Sequence, residues 1–203
     1  MGRWEPDARG RLLHAALDLF ADQGYEATTA AQIAAHAGLT KTTLFRHFAD
    51  KREILFQGQP ALVSVVASGV ASAPDEATAT ELLRAGVRAL CEWHVPEQQE
   101  IGRRIRPLVD LSPELQERTA FKRSVLAGAL AEALHERRVE RRAAAALSDV
   151  GIRAYYDGFA AWTDARRDEP LWDVVSEELI AIEVALRSAL GAPQRLGQDA
   201  ATR

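Results

Sequence analysis

The sequence predicts an all-α protein: a small N-terminal helical domain followed by a larger helical C-terminal domain. Three observations predict it. Apolar residues recur at helical spacing through most of the chain. No segment shows the period-two alternation of a strand, and capping residues, glycines and prolines punctuate the helical pattern at intervals. With 203 residues, 47% of them apolar, the chain can bury one substantial core or two smaller ones.

The elements follow in order. Leu13, Leu17 and Phe20, flanked by Leu12 and Ala16, form the stripe of a first helix. Gly24 is its expected stop, because glycine takes left-handed backbone at little cost. Thr29 with Gln32 reads as a capping box opening a second helix that runs to about Ala37, and Gly38 breaks it. Thr40 caps a short third helix through about Phe48. Asp50 with Glu53 opens a fourth on the same logic, which Gly58 and Pro60 interrupt or end. After a turn at Ala73, Pro74 and Asp75, a fifth helix presents Leu83, Val87, Leu90, Cys91 and His94 on one face. Pro96 and Pro107 bracket a short arginine-rich helix. Pro113 begins a long one with Phe121, Val125, Leu126, Leu130 and Leu134. Another helical stretch is expected over about residues 139–167. Pro170 suits the first turn of a last helix, whose stripe is Leu171, Val175, Leu179, Ile182, Leu186 and Leu190. Small and polar residues from Gly191 onward read as a flexible tail. The expected divisions are residues 1–56, 57–190 and 191–203.

Composition excludes several classes. The single cysteine, Cys91, allows no internal disulfide framework and no Cys-rich zinc site, and it suits a reducing cytoplasm. No secretory leader is expected, and the most apolar stretch, residues 61–71, is too short to span a bilayer. A cytoplasmic protein without a membrane partner is therefore expected. The five histidines, His14, His36, His47, His94 and His135, fall in no metal-binding spacing. Neither a nucleophile elbow nor a phosphate-cradling glycine loop occurs. No enzyme, catalytic residue, metal or cofactor is expected.

A net charge of −4 speaks against indiscriminate nucleic-acid binding, but the local balance differs. Residues 36–52 hold Lys41, Arg46, Lys51 and Arg52 against Asp50 alone. The same segment has the layout of a helix-turn-helix. Small Ala34 permits close crossing of two helices, and Gly38 tolerates positive φ in the turn. Ile33, Leu39 and Leu44 fill the space between them. Thr40, Lys41, Thr42, Thr43, Arg46 and His47 are left to project outward.

Over residues 9–56 the sequence resembles the tetracycline-repressor (TetR) family of transcription regulators. The resemblance rests on Phe20, Gly24 and Tyr25 closing the first helix, then Thr28-Thr29, Ile33-Ala34, Ala37-Gly38, Thr40-Lys41, Leu44-Phe45, His47-Phe48 and Lys51 in one register. It implies a DNA-binding repressor that a small-molecule effector releases from a near-palindromic operator in double-stranded DNA. It also implies base contacts from Lys41, Thr42, Thr43 and Arg46, and phosphate contacts from Thr28 or Thr29, Thr40, His47 and Lys51. Phe45 departs from the family, which often has tyrosine there; without the hydroxyl, Phe45 packs or touches a thymine methyl.

The C-terminal part, through the run from Ile101 to Leu115, is similar to regulators of the mycofactocin type, which implies an acyl-CoA-like ligand. Its candidate contacts are Trp93, Phe121, Tyr155, Tyr156, Phe159 and Trp162, with His94 and Arg106 as polar partners. Arg103, Arg104 and Arg106 would suit an anionic head group, against the plainer expectation of a solvated face. Arg137, Arg138, Arg141 and Arg142, interleaved with Glu136 and Glu140, read as a salt-bridged surface. A homodimer is expected through the last two helices. Leu147, Val150 and Ala154 on one, and Leu171, Val175, Leu179, Ile182 and Leu186 on the other, would pair with their copies as a four-helix bundle, with part of the stripe serving the subunit's own core.

Overall fold

A computed structural model describes residues 7–164 and 169–191. The described residues form ten helices: α1 (Ala8–Gln23), α2 (Ala30–His36), α3 (Lys41–His47), α4 (Lys51–Leu55), α5 (Gln59–Ala71), α6 (Ala79–Glu92), α7 (Glu97–Leu111), α8 (Pro113–Glu136), α9 (Arg141–Asp164) and α10 (Leu171–Gly191). None is long and apolar enough to cross a membrane. The expected tail beyond Gly191 and the expected helix end near Arg167 lie outside the described residues.

Local chemistry sets the N-terminal elements where the sequence places them. The Thr29 hydroxyl accepts from the Gln32 N–H at 3.2 Å while the Gln32 side chain accepts from the Thr29 N–H at 2.8 Å, a complete capping box. Thr40 caps α3, and Gly24 and Gly38 take φ of 85° and 68°. Asp50 caps α4 through the Glu53 N–H, but the box is only half made. The Glu53 carboxylate turns instead to α8, where two cations compete successfully for it.

Two cores result. In the first, Leu12, Leu17 and Phe20 of α1 meet Ile33, Leu44 and Ile54, together with Leu115 from the first turn of α8. Ile101, Ile105, Leu108 and Val109 of α7 cover it. The second joins α5, α6, the rest of α8, α9 and α10 around Val66, Leu83, Leu90, Leu126, Leu130, Ile152 and Val175. At 24 residues, α8 is about 36 Å long and reaches from one core to the other.

Tertiary contacts overrule several sequence expectations. The helix expected to stop at Pro107 continues to Leu111. A proline inside a helix loses its N–H bond and crowds the carbonyl four residues back, and packing of the partly buried Leu108 and Val109 against the first core holds the following turn. On α8, Phe121 and Val125 are exposed and the buried stripe is Leu115, Lys122, Leu126 and Leu130. Of the stripes expected to be shared between a dimer face and the subunit's own core, Ala154, Leu171, Val175 and Leu179 are buried within the subunit. Pro170 stands just before α10 rather than in its first turn. Arg137 is no solvated surface charge: its guanidinium donates to the carbonyls of Val70, Ala73 and Pro74 and so closes the end of α5.

The α5–α6 crossing depends on a residue without a side chain. A Cβ on Gly69 would lie 2.5 Å from the Cβ of Ala89 and 2.8 Å from the Ala85 carbonyl oxygen. Gly69→Val should therefore destabilise the fold by at least ~1–3 kcal/mol, lowering Tm by several degrees in thermal denaturation. Gly128→Ala, where nothing lies within 4 Å of the added methyl, should leave Tm unchanged or raise it. Equal Tm changes in the two variants would refute the close-crossing argument.

Candidate nucleic-acid interface and effector cavity

The helix-turn-helix is built as its residue types require. Ala34 and Ile33 are buried where α2 meets its neighbours, and the Leu39 N–H closes the turn onto the Ala34 carbonyl at 2.8 Å. The guanidinium of Arg11 on α1 donates to the Ala37 carbonyl and braces the turn. With Leu44 fully buried, α3 is held by one face and presents the other to solvent.

That outer face carries Lys41, Thr42, Phe45 and Arg46, all exposed. Phe45 is 46% exposed, and the Lys41 ammonium lies 5.7 Å from its ring centroid. This is a cation–π contact that holds both chains on one surface. Thr43 is half-buried, and its hydroxyl shares a hydrogen bond with that of Thr40 at 2.9 Å. Thr29 and Thr40 are exposed but act as helix caps.

Three of the expected phosphate contacts lie differently. Thr28 is buried, and its hydroxyl donates to the Gly24 carbonyl at 2.8 Å, so it is no exposed donor. The Lys51 ammonium donates to the carbonyls of Tyr25 and Thr28 at 2.8 and 3.1 Å and sits over the Tyr25 ring at 4.1 Å. It locks the α1–α2 connection onto α4. His47 turns its Nε2 inward, where it has no hydrogen-bond partner. Stripes and caps are visible in sequence, whereas these three orientations follow from long-range partners.

Between the two cores lies a cavity of about 330 Å³. Its walls come from the end of α4 (Leu55, Phe56), from α7 (Ile101, Ile105, Arg106, Val109), from α8 (Thr119, Lys122, Arg123) and from α9 (Tyr155, Tyr156, Phe159). Trp93, His94, Gln98 and Asp110 also line it. Of the eight ligand candidates named from sequence, six line this space: Trp93, His94, Arg106, Tyr155, Tyr156 and Phe159. Phe121 does not; it is 55% exposed on the opposite side of α8, against the Arg118 guanidinium. Trp162 does not either. It is buried in the second core, donates from Nε1 to the Glu169 carbonyl at 3.0 Å and faces a separate cleft beside Cys91 and Trp172.

A hydrogen-bonded relay crosses the cavity wall. The Gln98 side-chain oxygen accepts from the Val95 N–H at 3.1 Å and also meets His94 Nδ1 at 2.7 Å, so Nδ1 is the protonated nitrogen. His94 Nε2 is then the acceptor for the Tyr155 hydroxyl at 2.6 Å. Burial pushes the His94 pKa down and outweighs the opposing hydrogen bond to Gln98, which keeps the ring neutral; burial pushes that of Tyr155 up.

Residues 12–57 match the family model for bacterial regulatory proteins of the tetR family. The likeness to TetR-family transcription regulators therefore lies in the helix-turn-helix domain. The chain is similar to the HTH-type transcriptional activator FasR of Mycolicibacterium smegmatis, 36% identical over 88 residues, which cover 43% of this chain and 40% of FasR. The HTH-type transcriptional regulator TcmR of Streptomyces glaucescens is 50% identical over 46 residues, covering 23% of this chain and 20% of TcmR. Each match thus spans less than half of the relative's length. Solved structures extend the likeness of fold to nearly the whole chain. Thermus thermophilus FadR, a TetR-family repressor solved with lauroyl-CoA, superposes with a TM-score of 0.51 at 21% identity, covering 96% of this chain and 98% of FadR. Bacillus halodurans FadR, a fatty acid degradation regulator, gives 0.54 at 17% identity, covering 90% of this chain and 97% of that one.

Ion pairs tie the TetR-type domain to α8 directly beside the cavity. Arg52 of α4 lies 3.2 Å from Glu114, and Glu53 accepts from Arg118 at 2.6 Å and from Lys122 at 3.1 Å. Burial alone would raise the Glu53 pKa, but the hydrogen bonds from Arg118 and Lys122 prevail and hold it below the ordinary glutamate value. Lys122, only 8% exposed, both serves this pair and lines the cavity. Nothing in the sequence flags it except its place in the Leu115, Leu126, Leu130 stripe.

The neutral His94 predicts a pH effect with a definite sign. Burial holds its folded pKa below the ordinary histidine value, so on acidification the unfolded chain takes up the proton first. The stability this contributes is complete above that value and declines as pH falls from there toward the folded pKa. Tm should therefore drop less in His94→Gln than in the parent protein between about pH 7.5 and pH 5.5. Identical drops in the two proteins would show that His94 does not titrate as described.

Proposed function

We propose that this chain is a dimeric, operator-binding repressor released from DNA by a small molecule held in the cavity between α4, α7, α8 and α9. One observation carries the reading: the cavity and the helix-turn-helix share walls, since Leu55 and Phe56 at the end of α4 line the cavity while α4 itself packs on α1. A ligand that favours one arrangement of these helices changes how the recognition helix α3 is presented. Lys41, Thr42, Thr43 and Arg46 read base edges, with Phe45 against apolar base surface. Thr29 and Thr40 face the phosphates. An acyl-CoA-like effector fits the apolar walls and the cations among them, and FadR of Thermus thermophilus was solved with such a molecule. Its acyl tail is the part suited to a space of this volume.

For the dimer, the support is the outer half of α10, where Ile180 and Val184 are exposed one turn apart, followed by Leu186 and Leu190. Exposed apolar stripes of this kind mark association surfaces. A second copy meeting α9 and α10 here forms the four-helix contact.

The test is selection of genomic DNA on the full chain, followed by binding assays on the recovered sequence. A near-palindromic site bound by two copies, with affinity falling steeply as salt rises, is the expected result. Recovery of no common sequence would overturn the reading. Lys41→Ala should cost ~1–3 kcal/mol of discrimination at one base position; unaltered affinity and specificity would remove Lys41 from the base contacts.

Val184→Arg tests the dimer separately. Because Val184 is 59% exposed, the subunit should keep its fold while the apolar contact is lost. Sedimentation should show a folded monomer with much weaker operator binding. A persisting dimer would place the interface elsewhere.

A further inference from the structure

Resting on the reading of the cavity as the effector site, we infer that its ligand is an amphipathic anion held by Arg123 and Lys122, which acts on the DNA-binding domain by competing with Glu53 for Lys122. The charges of the wall carry the argument. It holds three cations, Arg106, Lys122 and Arg123, against one carboxylate, Asp110, which is exposed. Arg106 is already committed, donating to the Asp164 carboxylate and the Ala160 carbonyl. Lys122 has Glu53.

Arg123 is the exception. Its guanidinium stacks 4.2 Å from the Tyr156 ring centroid, and its Nε is buried with no hydrogen-bond partner. A guanidinium cannot shed its charge, and a buried donor without an acceptor is costly. Carboxylate or phosphate oxygens meet that need, with two parallel bonds available from the planar fork. The neighbouring wall is apolar, through Ile101, Ile105, Val109 and Phe159, and calls for a hydrocarbon or aromatic body on the same molecule.

The regulatory half follows from adjacency. Lys122 and Arg123 are consecutive on α8 and both line the cavity, so an anion at Arg123 is within the reach of the Lys122 ammonium. That ammonium is also the cavity-side partner of Glu53. The ammonium has donors to spare but one charge and one position: an anion at Arg123 draws it away from Glu53 and weakens that pair, while Arg118 keeps Glu53 on α8 in a loosened seat. Ligand and operator then oppose one another through a single side chain, and the coupling is reciprocal.

The test uses the full chain and four probes with one tail: octanoate, octyl phosphate, octanoyl-CoA and octanol. Calorimetry should show the best anionic probe binding on the order of tenfold or more tighter than octanol. Whether carboxylate or phosphate leads identifies the source of the anion. Arg123→Gln should abolish the preference and leave octanol affinity in place, and Arg123→Lys, which keeps the charge and the fold, should retain part of it. Glu53→Gln should bind the anions at least as well as the parent, yet their effect on operator affinity should vanish. Octanol binding as tightly as the anions, or a preference untouched by Arg123→Gln, overturns the anion assignment and leaves the cavity standing as an effector site. A full probe effect in Glu53→Gln overturns the competition. Failure of every probe, octanol included, to bind overturns the effector reading itself.

Discussion

The helix-turn-helix domain does not close its core by itself. Its helices are short, with α2 and α3 at seven residues each and α4 at five, and helices of that length have little stability apart from tertiary packing. The missing surface comes from the other domain: Leu115 of α8 is fully buried among α1, α2 and α4, and α7 lays Ile101, Ile105, Leu108 and Val109 over them. The fold of the reading head is therefore bound to the position of α7 and α8. Whatever moves those two helices moves the environment of the head.

Placing the cavity against the same two helices gives that dependence a chemical use. Its walls are drawn from α7, α8 and the end of α4 together. Charged contacts at the seam are not interchangeable with apolar ones here. A buried lysine needs a partner, and Lys122 has Glu53. Its loyalty can change with what the cavity holds, whereas the apolar contacts of Leu115 cannot be redirected. Packing thus supplies a permanent connection and the ion pair an adjustable one.

Much of the first domain was legible because its signals are local. A capping box needs only residues 29 and 32, a positive-φ turn only Gly38, and an amphipathic stripe only one helix; these appear in the structure as expected. The cavity was legible in part. Aromatic residues crowded on α9 point to one helix face, and Tyr155, Tyr156 and Phe159 do line the space, but Trp162, one turn on, is turned into the second core. Phe121 misled for a related reason. The stripe read on α8 joined Phe121 and Val125 to Leu126, Leu130 and Leu134, and only the last three face the core.

The sequence by itself determined the helical class, the helix-turn-helix and the outward face of α3, because each rests on interactions within a few residues. Only the tertiary structure decided the orientation of charged and aromatic side chains: Arg137 on the end of α5, Lys51 on the α1–α2 connection, Lys122 between Glu53 and the cavity. Long side chains choose among partners by distance and by loss of solvent, and those partners lie 23 to 69 residues away. Such choices exist only once the helices have packed.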